Sequence, residues 1–479
     1  MTLRLASLAH GKLVRLAALD DGTPLRVGAL VRHAHRGAAV LVVAALALIY
    51  IPDIGHGFLR DDFMWVRVAQ VETPSDLSRM FTGNVGFYRP VVTASFAIDR
   101  AVFGLRPLPY ALTNFALLIV AVWLIARLGL VAGLAAPFAL TAAAVWALNF
   151  HGINMALLWI SGRTALLLCV FSVAAVLASI GDRRWWAALW SFLAMLSKEE
   201  AIVLPAMLVL WSWQSSGDGT LRGLARSIGK ASPAVAALAG YMVLRIASGA
   251  FGPLNAPEYY RFTFAPAAVA RNIAEYADRS CTIVVLVVLL AMAVGRKRPA
   301  LAAREWRTVL VGAVWLVAGF ALTVFLPLRS SLYALFPSIG SCLAGAVIMQ
   351  ALHRAAPQRV RVAFVVLVVL MFALVPVYRS RNDRWVAPAD LSRRLVADLR
   401  AIGASVPAGT RFIAIDDEQD QGMSSAFGGL FADAVTLYVG RGCSGELFDR
   451  SSAPRQDGGR NSIVLRLRGG SLVADEGPG

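Results

Sequence analysis

Charged residues and cysteines are both scarce in this sequence. Only 16% of its 479 residues are charged, whereas 58% are hydrophobic. This composition excludes an ordinary soluble domain and is typical of a chain that crosses a membrane many times. The cysteines have no metal-type spacing and three lie in apolar runs, which argues against a zinc site or a disulfide framework (Cys169, Cys281, Cys342 and Cys443).

Acidic residues are fewer than basic ones, 29 against 46, which leaves a formal net charge of +17. In a soluble protein this excess would suggest nucleic acid, but no nucleic-acid motif accompanies it. In a membrane protein, Lys and Arg accumulate in cytoplasmic loops and beside anionic lipid headgroups. We therefore expect membrane lipids, and no nucleic acid, among the partners.

Apolar runs of roughly membrane-spanning length predict about eleven transmembrane helices. We therefore predict an all-α polytopic membrane protein, with a basic cytoplasmic N-terminus at 1–37 and a transmembrane domain at 38–378. The predicted segments are 38–54, 110–130, 133–150, 162–180, 185–197, 200–213, 232–248, 281–295, 308–326, 332–351 and 361–378.

Short basic connectors predict which side of the membrane each loop occupies. Arg183 and Arg184 precede one apolar stretch and the basic segment 222–230 follows it, so both connectors belong in the cytoplasm. The stretch 185–213 must then be a hairpin whose tip, LSKEEA (196–201), lies outside. The same parity places WISGRT (159–164), 249–279, LPLRSSLYALFPSIG (326–340) and everything after Tyr378 outside. We expect an inner or plasma membrane location with the working face external.

The composition changes after Tyr378. Residues 389–402 have an amphipathic helical pattern, and the runs at 411–415, 434–439 and 462–467 are typical of strands. We therefore predict a small extracytoplasmic α/β domain at 379–479 with a disordered tail.

The first external loop, 55–109, carries two adjacent aspartates, Asp61 and Asp62, in the stretch GFLRDDFMWV. From Val91 onward its apolar residues recur at helical spacing, which predicts an amphipathic helix along the membrane. The aspartates are either solvated loop residues or the centre of a site. A metal is not indicated, because tandem aspartates alone are a poor ligand set.

Carboxylates and several cations on one external face are suited to a reaction on a lipid-linked anion. A carboxylate can act as a general base toward a hydroxyl. Fixed cations can hold a phosphate and stabilise the charge that develops on it as it leaves. Charged side chains near a bilayer cost about 2.5–3.5 kcal/mol each, so they are seldom kept without a partner or a function.

Six short motifs occur in an order that resembles the GT-C superfamily of membrane glycosyltransferases. They are RDDF, YRPV, YALTNFALL, ISGRTALL, LSKEEAIVLP and LYALFPSIGSCL, and they cover about residues 40 to 350. The similarity is closest to the branch of the protein O-mannosyltransferases and the TMTC-like and ArnT-like proteins. Ala111 and Leu118 stand where that family's pattern has histidines, and Thr164 and Ala165 stand where an aspartate is found.

The resemblance implies a GT-C fold and an inverting transfer of a sugar from a polyprenyl-phosphate donor to a hydroxyl acceptor, with no cofactor and no metal. It implies that Asp61 is the catalytic base and that Asp62 supports it. It also implies two further groups: Lys198, Arg163 and Arg329 for the donor phosphate, and Arg89, Asn114, Glu199 and Tyr333 as substrate-binding or supporting residues. The sugar and the acceptor, whether glycan, lipid or protein, stay open.

Three other functions remain open. A flippase or exporter of lipid-linked sugars would place polar residues through the middle of several spans, and here they cluster at one face. A polysaccharide ligase or polymerase would carry a large late external loop, and 327–331 is short. An inactive family member that serves as a binding subunit can be separated from an enzyme only by an activity measurement.

Overall fold

The computed structural model describes residues 24–83, 86–216, 218, 220–250, 260–295, 300–416, 422–450 and 461–474. Most of the predicted N-terminal segment 1–37, and the predicted disordered tail after Ala474, lie outside these residues. The chain divides into an N-terminal unit, Met1–Ala44, and a main unit, Ala45–Gly479. The first described helix is α1 (Pro24–Tyr50), and everything that follows concerns the main unit.

The main unit is built largely of helices. In chain order these are α2 (Asp61–Val68), α3 (Pro74–Thr82), α4 (Pro90–Phe103), α5 (Pro107–Ala132), α6 (Ala136–Ala147), α7 (Ile153–Leu158), α8 (Arg163–Ile180), α9 (Arg184–Met195), α10 (Leu204–Ser215), α11 (Leu221–Ala247), α12 (Pro266–Gly295), α13 (Ala303–Gly319), α14 (Leu335–Ala355), α15 (Pro357–Ala373) and α16 (Val375–Ser405). Short 3₁₀ helices at Ile160–Gly162, Glu199–Val203 and Ser331–Ala334 precede α8, α10 and α14.

Within the described residues, five helices are long and apolar enough to cross a membrane, and α15 with α16 forms a sixth candidate that is bent by 43°. They are Pro107–Ala132, Ile160–Ile180, Leu221–Ala247, Pro266–Val294 and Ser331–Ala355. All eleven predicted segments coincide with helices, but α9 and α10 have 12 residues each. At 1.5 Å per residue each is about 18 Å long, less than the ~30 Å hydrocarbon core. The structure therefore shows a membrane protein with five to six candidate spans, and the number eleven stays a prediction.

Residues 184–215 run from one end of the bundle to the other and back, as the charge pattern predicts. Helix α11 contacts both ends of this passage. Lys230 in α11 pairs with Asp182, just before α9, at 2.9 Å. Arg245 in the last turn of α11 pairs with Glu199, between α9 and α10, at 3.3 Å. We call the end that contains Glu199 and Arg245 the site end, and the end that contains Asp182 and Lys230 the far end.

The first loop folds as helices α2, α3 and α4 at the site end. Helix α4 confirms the helix predicted from Val91, and its position along a membrane stays a prediction. It buries Val92, Phe96 and Asp99, which lie on one face at the spacing of a helix.

The C-terminal residues form a four-stranded sheet in the order β2-β1-β3-β4. Strand β1 (Arg411–Asp416) pairs in parallel with β2 (Ser444–Asp449) and with β3 (Ser462–Arg468), and β4 (Ser471–Ala474) is antiparallel to β3. Helices α17 (Met423–Phe427) and α18 (Phe431–Tyr438) connect β1 to β2. The predicted strands at 411–415 and 462–467 are confirmed. The predicted helix 389–402 belongs to α16, which also runs through the predicted domain boundary after Tyr378.

The strand predicted at 434–439 is wrong, because residues 434–438 belong to helix α18 and Val439 follows its end. Phe431, Ala434 and Val435 are buried, a spacing of three and four that places them on one helical face. The β-branched and aromatic composition of AVTLYV suggested a strand, but the apolar residue one turn earlier completes a helical pattern.

Helices α13 and α14 approach closely through two glycines. A Cβ added to Gly312 would lie 2.6 Å from the carbonyl oxygen of Gly340, and a Cβ added to Gly340 would clash with the carbonyl oxygen of Gly312. Small residues allow helix backbones in membranes to pack at this distance. This contact holds α14, and with it the segment before Leu335, at the site end.

Candidate active site

Asp62 ties the first loop to the start of α8. Its carboxylate is fully buried. Oδ2 accepts a hydrogen bond from the Leu59 amide at 2.9 Å, and Oδ1 accepts one from the Ser161 amide at 2.7 Å and another from the Ser161 hydroxyl. Burial raises the pKa of Asp62 to about 7, against these hydrogen bonds, which lower it. Asp62 therefore positions the loop, which agrees with its predicted supporting role.

Asp61 differs from its neighbour because its carboxylate is partly exposed and, among the described residues, receives no hydrogen bond. It is the first residue of α2, where the helix dipole favours a negative charge. Burial raises the pKa of the Asp61 carboxyl above its usual value, and the nearby Arg89 and Arg60 guanidinium groups counteract that rise. A carboxylate with unused acceptor oxygens and a raised pKa is suited to taking a proton from a hydroxyl.

The turn before Asp61 is held by the C-terminal residues. Arg60 has a φ of 49°, a backbone conformation that residues other than glycine adopt at a cost of about 1–3 kcal/mol. Its amide donates to the Ala426 carbonyl at 2.9 Å, and its Nε donates to the Ser425 carbonyl at 3.1 Å. These contacts with α17 set the direction in which Asp61 leaves the turn.

Arg163 is completely buried at the start of α8 and is occupied by internal partners. It pairs with Asp99 of α4 at 2.5 Å, and its Nε donates to Asn114 Oδ1 at 2.8 Å. Its terminal nitrogens also donate to the Tyr110 and Ser95 carbonyls. Asn114 in turn donates to two carbonyls near α7 and α8. Arg163 and Asn114 thus cross-link α4, α5 and α8, and their predicted contacts with substrate stay predictions.

Arg89 lies at the site end between the first loop and residues 196–203. Its Nη2 donates to Glu199 Oε2 at 2.8 Å, and its Nε lies 3.3 Å from both carboxylate oxygens. Arg245 reaches Glu199 Oε1 at 3.3 Å. Burial raises the pKa of Glu199, but the charge of Arg89 outweighs it, and the pKa falls to about 2. Glu199 is therefore ionised and binds two guanidinium groups, of which that of Arg89 also acts on Asp61.

Lys198 is buried and pairs with Glu200, at 2.5 Å between Nζ and Oε1. Its ammonium group also lies 4.6 Å from the centre of the Tyr333 ring, within the range of a cation–π contact. The carboxylate that pairs with Lys198 is that of Glu200, whereas its neighbour Glu199 pairs with Arg89 and Arg245. The sequence did not distinguish the two neighbouring glutamates, because their directions depend on the 3₁₀ helix that begins at Glu199.

Arg329 belongs to a second ion pair at the same end. Glu275 of α12 contacts Arg329 at 3.2 Å and Arg279 at 3.0 Å. Nη1 of Arg279 is buried and, among the described residues, has no hydrogen-bond partner. The ring of Tyr276, next to Glu275 in the chain, lies 6.4 Å from that of Tyr333, which connects this pair to Lys198.

Together these side chains form what we call the cationic cluster: Arg89, Lys198, Arg245, Arg279 and Arg329. Three carboxylates oppose it, those of Glu199, Glu200 and Glu275, so the cluster has an excess of positive charge. Sequence reasoning missed Arg245, Arg279, Glu200 and Glu275. Membrane parity gave a usable signal for Glu275 and Arg279, because it places 249–279 outside.

Within the parts of the chain that the structure describes, no three His, Cys, Asp or Glu side chains come close enough together to hold a metal ion. The prediction that the reaction needs no metal stays a prediction. No protein-family model matches this chain, and no curated protein matches it significantly.

Proposed function

We propose that the protein is an integral-membrane glycosyltransferase that moves a sugar from a polyprenyl-phosphate donor to a hydroxyl acceptor at the site end. The observation that carries the proposal is Asp61. The other acids described at this site are each bonded to protein groups, whereas Asp61 has free acceptor oxygens and lies beside Arg89. A free carboxylate next to a cluster with excess positive charge supports deprotonation of a hydroxyl beside a phosphate.

In the proposed reaction, Asp61 accepts the proton of the acceptor hydroxyl. The hydroxyl oxygen then forms a bond to the anomeric carbon on the face opposite the phosphate. The bond from that carbon to the phosphate oxygen breaks, and the polyprenyl phosphate leaves with the electron pair. The cationic cluster stabilises the charge that grows on the phosphate, with Lys198 as the predicted principal contact. The anomeric configuration is inverted.

We also propose that the site end faces outward. The far end carries basic residues of the connectors, including Lys230, Arg304 and Arg354. Lys and Arg near the ends of spans favour the cytoplasmic side. A site end that faces outward would take its sugar from the lipid-linked donor and would need no nucleotide sugar.

The test uses the protein in nanodiscs with a panel of radiolabelled polyprenyl-phosphate sugars. Because a general base contributes typically about 10²–10⁴-fold, Asp61→Asn should lower transfer by that factor. Asp182→Asn removes a carboxylate at the far end and serves as the charge-matched control, with unchanged transfer expected. Equal activity in Asp61→Asn and wild type would contradict the assignment of Asp61 as the base.

The same assay separates the rival functions. Binding of one donor with no transfer by wild type would favour a binding subunit. Movement of the labelled lipid between leaflets without release of the sugar would favour a flippase.

A further inference from the structure

A polar cavity of about 490 Å³ lies beside the cationic cluster, between the first loop and helix α18. Its volume is within the range of about 300–1,000 Å³ that is usual for small-molecule sites. Arg89 lines it and also lowers the pKa of Asp61 through its charge, so one side chain connects the cavity to the proposed base. The lining residues are Arg67, Val68, Gln70, Glu72, Asp76, Arg79, Met80, Gly83, Phe87, Arg89, Thr93 and Thr436.

The cavity presents guanidinium groups whose donors are only partly used. Arg67 contacts Asp433 of α18 through Nε, and no described residue bonds its two terminal nitrogens. Arg79 contacts Asp76 through one terminal nitrogen, and its side chain is 73% exposed. Two such forks suit a carboxylate or a phosphate, which guanidinium groups bind through paired hydrogen bonds.

The lining acids and the partners of the lining arginines balance the positive charge of the cavity, but they leave these donors unoccupied. Asp76 Oδ2 accepts from the backbone amides of Glu72 and Thr73, at 2.9 and 2.7 Å, and so caps helix α3. Glu72 accepts a hydrogen bond from Gln70. Both carboxylates are therefore engaged at the wall, whereas the arginine donors remain available.

The other lining residues suit a saccharide. Phe87 is half-buried, with the Arg89 guanidinium 4.3 Å from its ring centre, and it provides an apolar surface for the face of a sugar ring. Thr93, Gln70 and Thr436 offer hydrogen-bonding groups around it. A few fixed polar groups around an apolar patch are typical of a site that orients a small ligand.

We propose that this cavity binds the acceptor, a short saccharide that carries a carboxylate or a phosphate, and directs its reacting hydroxyl to Asp61. The inference rests on the proposed function and names the chemical class of its acceptor. It also gives the C-terminal residues a part in specificity, because Asp433 holds Arg67 and Thr436 forms one wall.

The first experiment measures binding calorimetrically in nanodiscs. The probes are glucuronosyl-glucose, a glucose disaccharide phosphorylated at one primary hydroxyl, and the neutral disaccharide maltose. One charged probe should bind at least about tenfold more tightly than maltose, because a hydrogen bond to a charged group contributes enough for that factor. Which charged probe binds identifies carboxylate or phosphate. Equal binding of all three would overturn the proposal.

The second experiment obstructs the cavity from the side away from Asp61. Thr436→Trp places a large ring at the exposed wall, whereas Ala432→Trp places the same ring one turn earlier on α18, outside the lining. The charged probe should lose its binding to Thr436→Trp and keep it with Ala432→Trp. Unchanged binding to Thr436→Trp would refute the assignment.

Donor turnover separates this inference from the proposed function. Slow transfer of sugar from the donor to water is measured with the wild-type protein, in the absence of any saccharide. If donor turns over in wild type but no charged saccharide binds, the acceptor assignment fails and the proposed function stands. If a charged saccharide binds but no donor turns over, the proposed function fails and the cavity remains a saccharide site.

Discussion

At the residue scale, Asp61 and Asp62 share a backbone turn and differ in what surrounds their oxygens. Three donors point at Asp62, so replacing it leaves buried amide groups without partners. We expect Asp62→Ala to cost at least about 1–3 kcal/mol of stability, the usual penalty of one such group. Thermal unfolding in detergent, followed by tryptophan fluorescence, would measure it.

Asp61→Ala is the matched control for that measurement. It removes the adjacent carboxylate, which no described group bonds, and should leave the unfolding temperature close to that of wild type. Equal destabilisation by both variants would contradict the division of roles between the two aspartates.

The pH dependence of transfer is a second prediction at this scale. A base works only when ionised, and burial raises the pKa of Asp61 above 3.8, the usual value for an aspartate. Transfer should therefore fall as the pH is lowered, with a midpoint above 3.8. Because the charge of Arg60 lowers this pKa, Arg60→Gln should move the midpoint to higher pH. A pH profile of kcat/KM for both proteins would test the shift, and a midpoint moved to lower pH would be inconsistent with it.

Single residues of the site were only partly predictable from sequence. Asp61 follows from its motif and Lys198 from membrane parity. The ion pair between Arg163 and Asp99 joins α8 to α4. No local sequence pattern indicates a contact between residues so far apart in the chain. Residue type alone therefore could not separate a buried structural arginine from one that is available to a ligand.

At the element scale, the close contact between α13 and α14 requires a glycine at position 340, and this requirement can be tested. Gly340→Ala should cost about 1–3 kcal/mol, typical of overpacking, because the added methyl group meets backbone rather than a flexible side chain. Gly240→Ala on α11 is the control, since its nearest neighbour would be the Phe192 ring at 4.0 Å. The unfolding temperatures of the two variants would give the comparison, and equal values would argue against the close approach.

The elements themselves were largely predictable. Apolar runs located the helices because burial imposes a helical spacing, as in α4. The incorrect strand prediction at 434–439 shows the limit of predicting elements from short apolar runs. Six residues fit both a strand and a helix, and the choice was made by Phe431, just outside the run.

At the scale of the whole molecule, the opposite ends of the bundle should be labelled from opposite sides of the membrane. Ser78 in α3 and Ala303 in α13 are exposed and lie at the site end and the far end. In a background without the native cysteines, Ser78→Cys should react with a membrane-impermeant thiol reagent in intact cells. Ala303→Cys should react only in inverted vesicles. The reverse pattern would place the proposed site in the cytoplasm.

The sequence predicts the positions of the helices better than it predicts the number of membrane crossings. Hydropathy detects apolar residues, whereas a crossing also depends on length and tilt. The 12-residue helices α9 and α10 pass between the two ends of the bundle although each is short for a bilayer.

The contacts between the C-terminal residues and the turn before Asp61 have a consequence for the synthesis of the protein. Arg60 is bonded to Ser425, 365 residues later in the chain, and Arg67 to Asp433. A ribosome will have delivered every helix of the bundle to the membrane before it makes these partners. The proposed base is therefore aligned only after residues 425–433 have been made, and a chain interrupted before them is expected to insert its helices without the proposed activity.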